Sequence, residues 1–108
     1  MSSSHKDAVT AELLSWPGVT VQPHRFGGIE FVYEGKEIGH MHGDRLVDLA
    51  LPRALRDEYV AAGKAEPHHI FPDSGLVSIY LNAEADVAHA IEILRTKYEL
   101  MTTRRKET

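Results

Sequence analysis

Hydrophobic residues first recur with helical spacing and then with strand spacing. Val9 and Leu13 share one face of a short helix, which we expect Asp7 to cap and Trp16-Pro17-Gly18 to end. β-branched and aromatic residues then form short runs that alternate partially between two faces, as half-buried strands do. These runs lie at residues 19–21, 29–33, 36–42 and 45–49. The pattern therefore predicts one helix followed by four short strands.

The second half of the chain predicts two further helices around a β-rich segment. Pro52 fits the first turn of a helix, and Gly63 suits the position just after its end. Residues 76–81 alternate as a strand, and the last helix is predicted by a stripe of Val87, Ile91, Leu94, Tyr98 and Met101. We therefore predict an α+β domain whose largely antiparallel sheet of about five or six short strands packs against three helices.

Composition narrows the function classes. The chain has 108 residues, 43% hydrophobic and 26% charged, with a formal net charge of -4, and it has no Cys. The negative charge argues against nucleic acid and anionic membranes as partners, and the absence of Cys excludes thiolate chemistry. Because no apolar run resembles a signal peptide or a membrane span, we expect a cytoplasmic protein.

Apolar periodicity also sets the expected boundaries of the folded unit. Residues 1–6 and 102–108 are polar and lack that periodicity, so they are predicted to be solvated tails. A single α+β domain is expected to occupy residues 7–101, because the chain contains no internal repeat or low-complexity linker.

Histidine is the residue type that suggests chemistry. Five of the seven histidines lie in three segments, at residues 23–28, 40–45 and 66–75. His40 and His42 are two residues apart in a predicted strand, so both side chains project from the same face of the sheet. Such a pair can coordinate a metal ion, exchange protons with a substrate or bind an anion.

We predict a polar pocket on that face for a small ligand that is anionic or rich in oxygen. His40 and His42 are the candidates for general acid–base catalysis and Arg45 for charge stabilisation. The candidate ligand-binding residues are His24, Arg25, Asp44, His68, His69 and Ser74. The sequence leaves the cofactor unknown, leaves open whether the site is an enzyme's, and assigns no residue as a metal ligand.

Other interpretations of the same residues stay open. His40 and His42 can be structural, with hydrogen bonds to Asp44 or to backbone carbonyls. A metal site is an alternative in which histidines combine with Asp44 or Asp73, although three or four ligands must converge. A third alternative is a protein–protein interaction module, in which an edge strand or the helix stripes bind a partner or a second copy to form a homodimer.

The order of three motifs resembles a known family. The segments PHRFGGIEF, GHMHGDRLVDLALPRALRDEYVAAGKAEPHH and PDSGLVSIYL follow one another as in the luciferase-like domain family of small bacterial and fungal proteins. The resemblance spans about residues 16–101. The family pattern places weight on His24, Arg25, Phe26, Gly27, Gly28, Glu30, His40, His42, Gly43, Asp44, Arg45, His68, His69, Pro72, Ser74 and Gly75.

The resemblance implies little about activity. The family's name suggests a link to light-emitting oxidation of a small organic substrate, but its members are mostly uncharacterised. Flavin-dependent luciferases share only the name, because they are far longer barrels, and no flavin-binding pattern is recognisable here. We therefore carry over the family's pattern of residues and not an activity.

Overall fold

Within the part of the chain that the structure describes, three helices and six strands follow one another in the predicted order. The computed structural model describes residues 4–24, 27–68, 70–71 and 74–107. The helices are α1 (His5–Leu14), α2 (Arg53–Ala61) and α3 (Glu84–Glu107). The strands are β1 (Val19–Pro23), β2 (Ile29–Tyr33), β3 (Lys36–His42), β4 (Leu46–Ala50), β5 (Glu66–Pro67) and β6 (Leu76–Tyr80). The predicted α+β fold is confirmed.

The strands form one antiparallel sheet in the order β1-β2-β3-β4-β6-β5. β2 and β3 are joined by the two-residue turn Glu34-Gly35, in which both residues have positive φ, 53° and 78°. This conformation matches the right-handed twist of a hairpin and is favourable for glycine. The crossover from β4 through α2 and β5 places β6 beside β4, in the middle of the sheet.

One face of the sheet forms the hydrophobic core with α1 and α3. Its central row crosses four strands through Ile29, Met41, Val47 and Ile79. Gly39 lies where α3 approaches most closely, because a Cβ there would be 2.8 Å from Leu94 Cδ2. The other face is therefore left for polar side chains, and it carries the candidate site.

An irregularity in β3 changes which side chains reach that polar face. Phe31 pairs with Gly39, whereas the next residue, Val32, pairs with Glu37, so Ile38 is an extra residue that bulges from the ladder. A bulge of this kind shifts the alternation of side chains by one position. Glu37 consequently lies on the same face as His40, three residues away, although regular alternation would place the two on opposite faces.

The helix ends differ from the predictions in detail. α1 begins at His5 and its cap is Ser4, whose side chain accepts a hydrogen bond from the Asp7 backbone, so the prediction that Asp7 is the cap is wrong. Asp7 instead lies in the first turn, where an acidic side chain suits the helix dipole. α3 continues to Glu107, past the predicted boundary at 101, because lysine, arginine and glutamate extend a helix without a hydrophobic stripe. Among the described residues, none of the helices combines the length and apolarity that a membrane crossing requires.

Candidate functional site

A row of polar side chains crosses all six strands on the face opposite the helices. Residues paired directly across an antiparallel ladder project from the same face. The pairs connect one residue of each strand, in the order Gln22, Glu30, His40, Asp48, Ser78 and Glu66. The centre of this row, at His40 and Asp48, is where further histidines gather.

Asp48 is the buried anion at the centre of the site. Its side chain is only 1% exposed, and its Oδ1 accepts a 2.6 Å hydrogen bond from the Ser78 hydroxyl. Its Oδ2 has no hydrogen-bond partner among the described residues. Burial acts to raise the pKa of Asp48, but contacts with His40 and Ser78 outweigh it and hold the pKa below its usual 3.8. The carboxylate is therefore charged, buried and incompletely satisfied.

His40 lies between two carboxylates. Its Nδ1 is 2.8 Å from Glu37 Oε2, and its Nε2 is 3.6 Å from Asp48 Oδ2. Asp48 and then Glu37 raise the pKa of His40 from 6.5 to about 9, while the hydrogen bond from His40 lowers the pKa of Glu37. In this arrangement the ring is an imidazolium at neutral pH.

His42 approaches the same oxygen from the solvent side. Its Nε2 is 3.3 Å from Asp48 Oδ2, and its side chain is 38% exposed. The His42 ring is perpendicular to that of His40, at an angle of 90° with centroids 4.9 Å apart. The two rings can therefore direct one nitrogen each toward a common point beside Asp48.

His68 reaches Asp48 from the segment after β5. Its Nε2 is 3.6 Å from Asp48 Oδ2, and its side chain is 9% exposed. On the other side of the ring, Nδ1 accepts hydrogen bonds from the backbone N–H groups of Ile70 and Phe71, both at 3.2 Å. The Phe71 ring also stacks on the His68 ring, with centroids 5.7 Å apart. Three histidine Nε2 atoms thus surround a single carboxylate oxygen.

His24 lies at the edge of this cluster and contacts it differently. Its ring is stacked on that of His40, at 16° and 4.3 Å between centroids. Its Nε2 is 3.6 Å from Glu37 Oε1 and 4.0 Å from Glu30 Oε1. His24 therefore contacts His40 and Glu37, whereas the other three histidines lie around Asp48.

The structure brings together four of the residues predicted from the sequence, which are His24, His40, His42 and His68. Three others have different local roles. Asp44 Oδ1 accepts the Lys6 backbone N–H on the exposed side of the β3–β4 turn, and Arg45 is exposed on the same turn. Ser74 Oγ donates to the Phe71 carbonyl and accepts the Leu76 N–H, as a turn residue does. Arg25 and His69 lie outside the described residues.

The acidic residues of the site, Asp48 and Glu37, were not predicted from the sequence as site residues. Asp48 is the only charged residue in the apolar strand Leu46–Ala50, and Ser78 has a similar position in Leu76–Tyr80. A charge in a strand buried on both sides is a signal that a partner must be near. Glu37 carried no usable signal, because its face depends on the bulge at Ile38.

Among the residues that the structure describes, two overlapping groups of side chains have the spacing of metal ligands. His40, His42 and Asp48 each offer one ligand atom, all within 4.8 Å of one another, and so do His24, Glu37 and His40. The first group contains the buried Asp48 oxygen that lacks a hydrogen-bond partner among the described residues, whereas all three residues of the second are partly exposed.

The part of the chain that holds most of the site also matches a known protein family. The family model described as Luciferase domain matches residues 35–97. The matched region holds His40, His42, Asp48, His68 and Ser78. The curated proteins and the solved structures gave no significant match.

Proposed function

The chain belongs to the Luciferase domain family, and we propose that it is a metal-binding domain whose divalent transition-metal ion is held by His40, His42 and Asp48. The observation that carries the proposal is Asp48 Oδ2, a buried carboxylate oxygen that lacks a hydrogen-bond partner among the described residues. A buried anionic oxygen left unpaired is costly, and a cation beside it removes that cost.

The distances fit a tetrahedral ion. With bonds of about 2.0–2.2 Å, two donor atoms of a tetrahedral zinc site are about 3.3–3.6 Å apart. Asp48 Oδ2 is 3.3 Å from His42 Nε2 and 3.6 Å from His40 Nε2. Two of the three donor pairs therefore already have the separation that coordination requires, and all three donors lie within 4.8 Å of one another, so an ion that displaces the Nε2 proton of His40 can enter with little rearrangement of the sheet.

Ring orientation favours this group over the one that contains His24. A metal ion lies in the plane of each imidazole that binds it, because the nitrogen lone pair lies in that plane. The planes of the His40 and His42 rings cross at 90°, so one ion can lie in both. The rings of His24 and His40 are stacked nearly parallel, so they do not aim at a common ion.

Glu37 supports the proposed centre from outside it. When His40 Nε2 binds the ion, Nδ1 keeps its proton and donates a hydrogen bond to Glu37 Oε2, which is 2.8 Å away. A carboxylate behind a ligand histidine fixes the ring's tautomer and makes it a stronger ligand. His24, packed against His40, restricts the ring in the same way.

The donor set indicates the class of metal. Two imidazoles and one carboxylate suit zinc, iron(II), cobalt and nickel, whereas magnesium and calcium prefer oxygen ligands. The absence of Cys in the chain removes the thiolate ligands that favour copper(I) and iron–sulfur clusters. The ligand predicted from the sequence, anionic or rich in oxygen, would bind through the ion, because Glu30, Glu37 and Asp48 repel an anion from the metal-free face.

Metal-free acid–base chemistry at His42 is a second candidate. Its favouring observation is the exposed His42 ring held 3.3 Å from a buried carboxylate, an arrangement that orients an imidazole for proton transfer. Removal of metal separates the two candidates. A reaction that persists after chelation, and that His42→Ala abolishes, supports the second.

The test of metal binding uses untagged protein, so that no added histidine competes. After chelation and dialysis, calorimetric titration with Zn²⁺ or Co²⁺ should give one ion per chain. An ion present at about 100 times its Kd stabilises the fold by about 2.7 kcal/mol, which raises the Tm of a domain of this size by roughly 10–20 °C. Asp48→Asn and His42→Ala should each remove that rise.

His5→Ala is the matched control, because it removes a histidine from α1, outside the site. It should leave the Tm rise unchanged. Circular dichroism establishes that each variant folds, and His42→Ala serves as the milder variant because His42 is partly exposed. The proposal fails if wild-type protein binds no ion, or if Asp48→Asn binds it as tightly as wild type.

A further inference from the structure

His68 decides whether the proposed metal centre is closed or open. A structural zinc site has four protein ligands, whereas a catalytic site has three and leaves a position for water or substrate. His68 Nε2 is as far from Asp48 Oδ2 as His40 Nε2 is, at 3.6 Å, so distance alone makes it a candidate for a fourth ligand. The hydrogen bonds of His68 Nδ1 show whether Nε2 has a lone pair free to bind the ion.

His68 Nδ1 accepts hydrogen bonds from two backbone N–H groups, those of Ile70 and Phe71. Backbone N–H groups can only donate, so Nδ1 must present its lone pair to them and carries no proton. In a neutral imidazole the proton is then on Nε2, the nitrogen that faces Asp48. An N–H nitrogen has no lone pair for a metal ion, and at 3.6 Å its proton attracts the carboxylate electrostatically without a hydrogen bond.

We infer that His68 presents its Nε2–H proton to Asp48 and is not a metal ligand, and that the ion keeps an open coordination position for a small anionic oxygen or nitrogen donor from solvent. The inference rests on the proposed function. Three protein ligands remain, and the opening lies on the side of His42, the most exposed of them. His68 acts as a positioning residue that keeps Asp48 Oδ2 turned toward the ion.

The charge of the centre indicates the class of ligand. A divalent ion bound by one carboxylate and two neutral imidazoles has a net charge of about +1, which a single anion such as hydroxide, acetate or azide neutralises. Glu37, which accepts from His40, and Glu30, near His24, add negative charge behind the centre and disfavour larger polyanions. A monodentate anion or a water molecule is therefore the ligand that suits the site.

The experiment uses the full chain loaded with Co²⁺, whose visible spectrum reports coordination. Titration with azide and, separately, with acetate should shift the spectrum of wild-type protein in a saturable manner. X-ray absorption should count two imidazoles on the ion. His68→Gln, whose amide keeps an N–H group that can face Asp48, should bind Co²⁺ within about tenfold of wild type and respond to azide, whereas His42→Ala should lose at least about a hundredfold in affinity.

Opposite results would show a closed site. A wild-type spectrum that does not respond to either anion, or a count of three imidazoles, overturns the inference while leaving metal binding intact. Equal losses of Co²⁺ affinity in His68→Gln and His42→Ala overturn it as well. If His68→Gln does not fold, the imidazole count on wild type still decides. Failure of wild-type protein to bind Co²⁺ overturns the proposed function, and the inference falls with it.

Discussion

The hydrogen bond between Ser78 and Asp48 connects the stability of the sheet to the geometry of the site. Both side chains are fully buried, and the 2.6 Å distance is that of a short bond to a charged acceptor. Ser78→Ala removes the donor, keeps the packing volume nearly constant and leaves Asp48 Oδ1 without this partner. Because Oδ2 already lacks one among the described residues, the carboxylate of the variant is poorly satisfied at both oxygens.

The expected magnitude follows from burial and charge. A hydrogen bond to a charged group contributes about 1.5–3 kcal/mol, and in a buried pair that contribution is not replaced by water. We therefore expect Ser78→Ala to lower the free energy of unfolding of the metal-free protein by about 2 kcal/mol. For a domain of this length, that loss corresponds to a fall in Tm of roughly 8–16 °C.

Ser15→Ala provides a matched control. The Ser15 hydroxyl also donates at 2.6 Å, but to the Glu12 carbonyl on the exposed end of α1. Its removal should change the free energy of unfolding by less than about 0.5 kcal/mol, as is usual for a surface site. Urea denaturation in the presence of chelator measures both variants on the same scale.

A double-mutant cycle with Asp48→Asn isolates the pair. If the interaction has the strength argued above, the coupling free energy between the two substitutions should be at least about 1 kcal/mol. A loss for Ser78→Ala no larger than that for Ser15→Ala, together with a coupling near zero, would refute the reasoning. The buried carboxylate would then derive its stability from groups other than Ser78.

Three further predictions concern the same sheet. Gly39→Ala should cost about 1–3 kcal/mol in urea denaturation, because the new methyl group meets Leu94 at 2.8 Å; an unchanged midpoint would contradict the packing of α3. Glu37→Gln should weaken metal binding by about 10–100-fold in calorimetry by replacing the charged acceptor behind His40 with a neutral one, and unchanged affinity would exclude that role. In metal-free protein, Asp48 and Glu37 raise the pKa of His40 from 6.5 to about 9. Protonated His40 therefore stabilises the fold fully below about pH 6.5, and this stabilisation is lost as the pH rises through about 9. Tm should accordingly fall over that interval in wild type and less in His40→Gln, and equal slopes would contradict it.

Local patterns were sufficient to predict the elements and the pair at the centre of the site. Alternation predicted β2 and β3 at the residues observed, and the spacing of His40 and His42 placed both on one face. His24 and His68 lie in segments far apart in sequence. His24 reaches this pair because β1, β2 and β3 are neighbours in the sheet, and His68 reaches it because β6 lies between β4 and β5; this strand order cannot be derived from periodicity.

The acidic residues were harder to predict for two different reasons. Asp48 pairs with His40 across the ladder, and that register follows from the packing of the opposite face rather than from either residue. Glu37 depends on the bulge at Ile38, which exchanges the faces of all residues before it in β3. A period-2 pattern assumes that no such exchange occurs, so it assigns Glu37 to the wrong side.

Because of the bulge, the number of residues in β3, and not only their types, determines which face Glu37 lies on. Regular pairing of all the residues of β3 would turn Glu37 toward the helices and away from His40, whereas deletion of Ile38 would place Glu37 two residues from His40, where regular alternation keeps both on one face. Homologous sequences should therefore be compared by the count of residues between the acidic position and the first histidine. A relative with one residue between them keeps the contact through regular alternation, whereas a relative with two residues between them keeps it only if its strand also bulges.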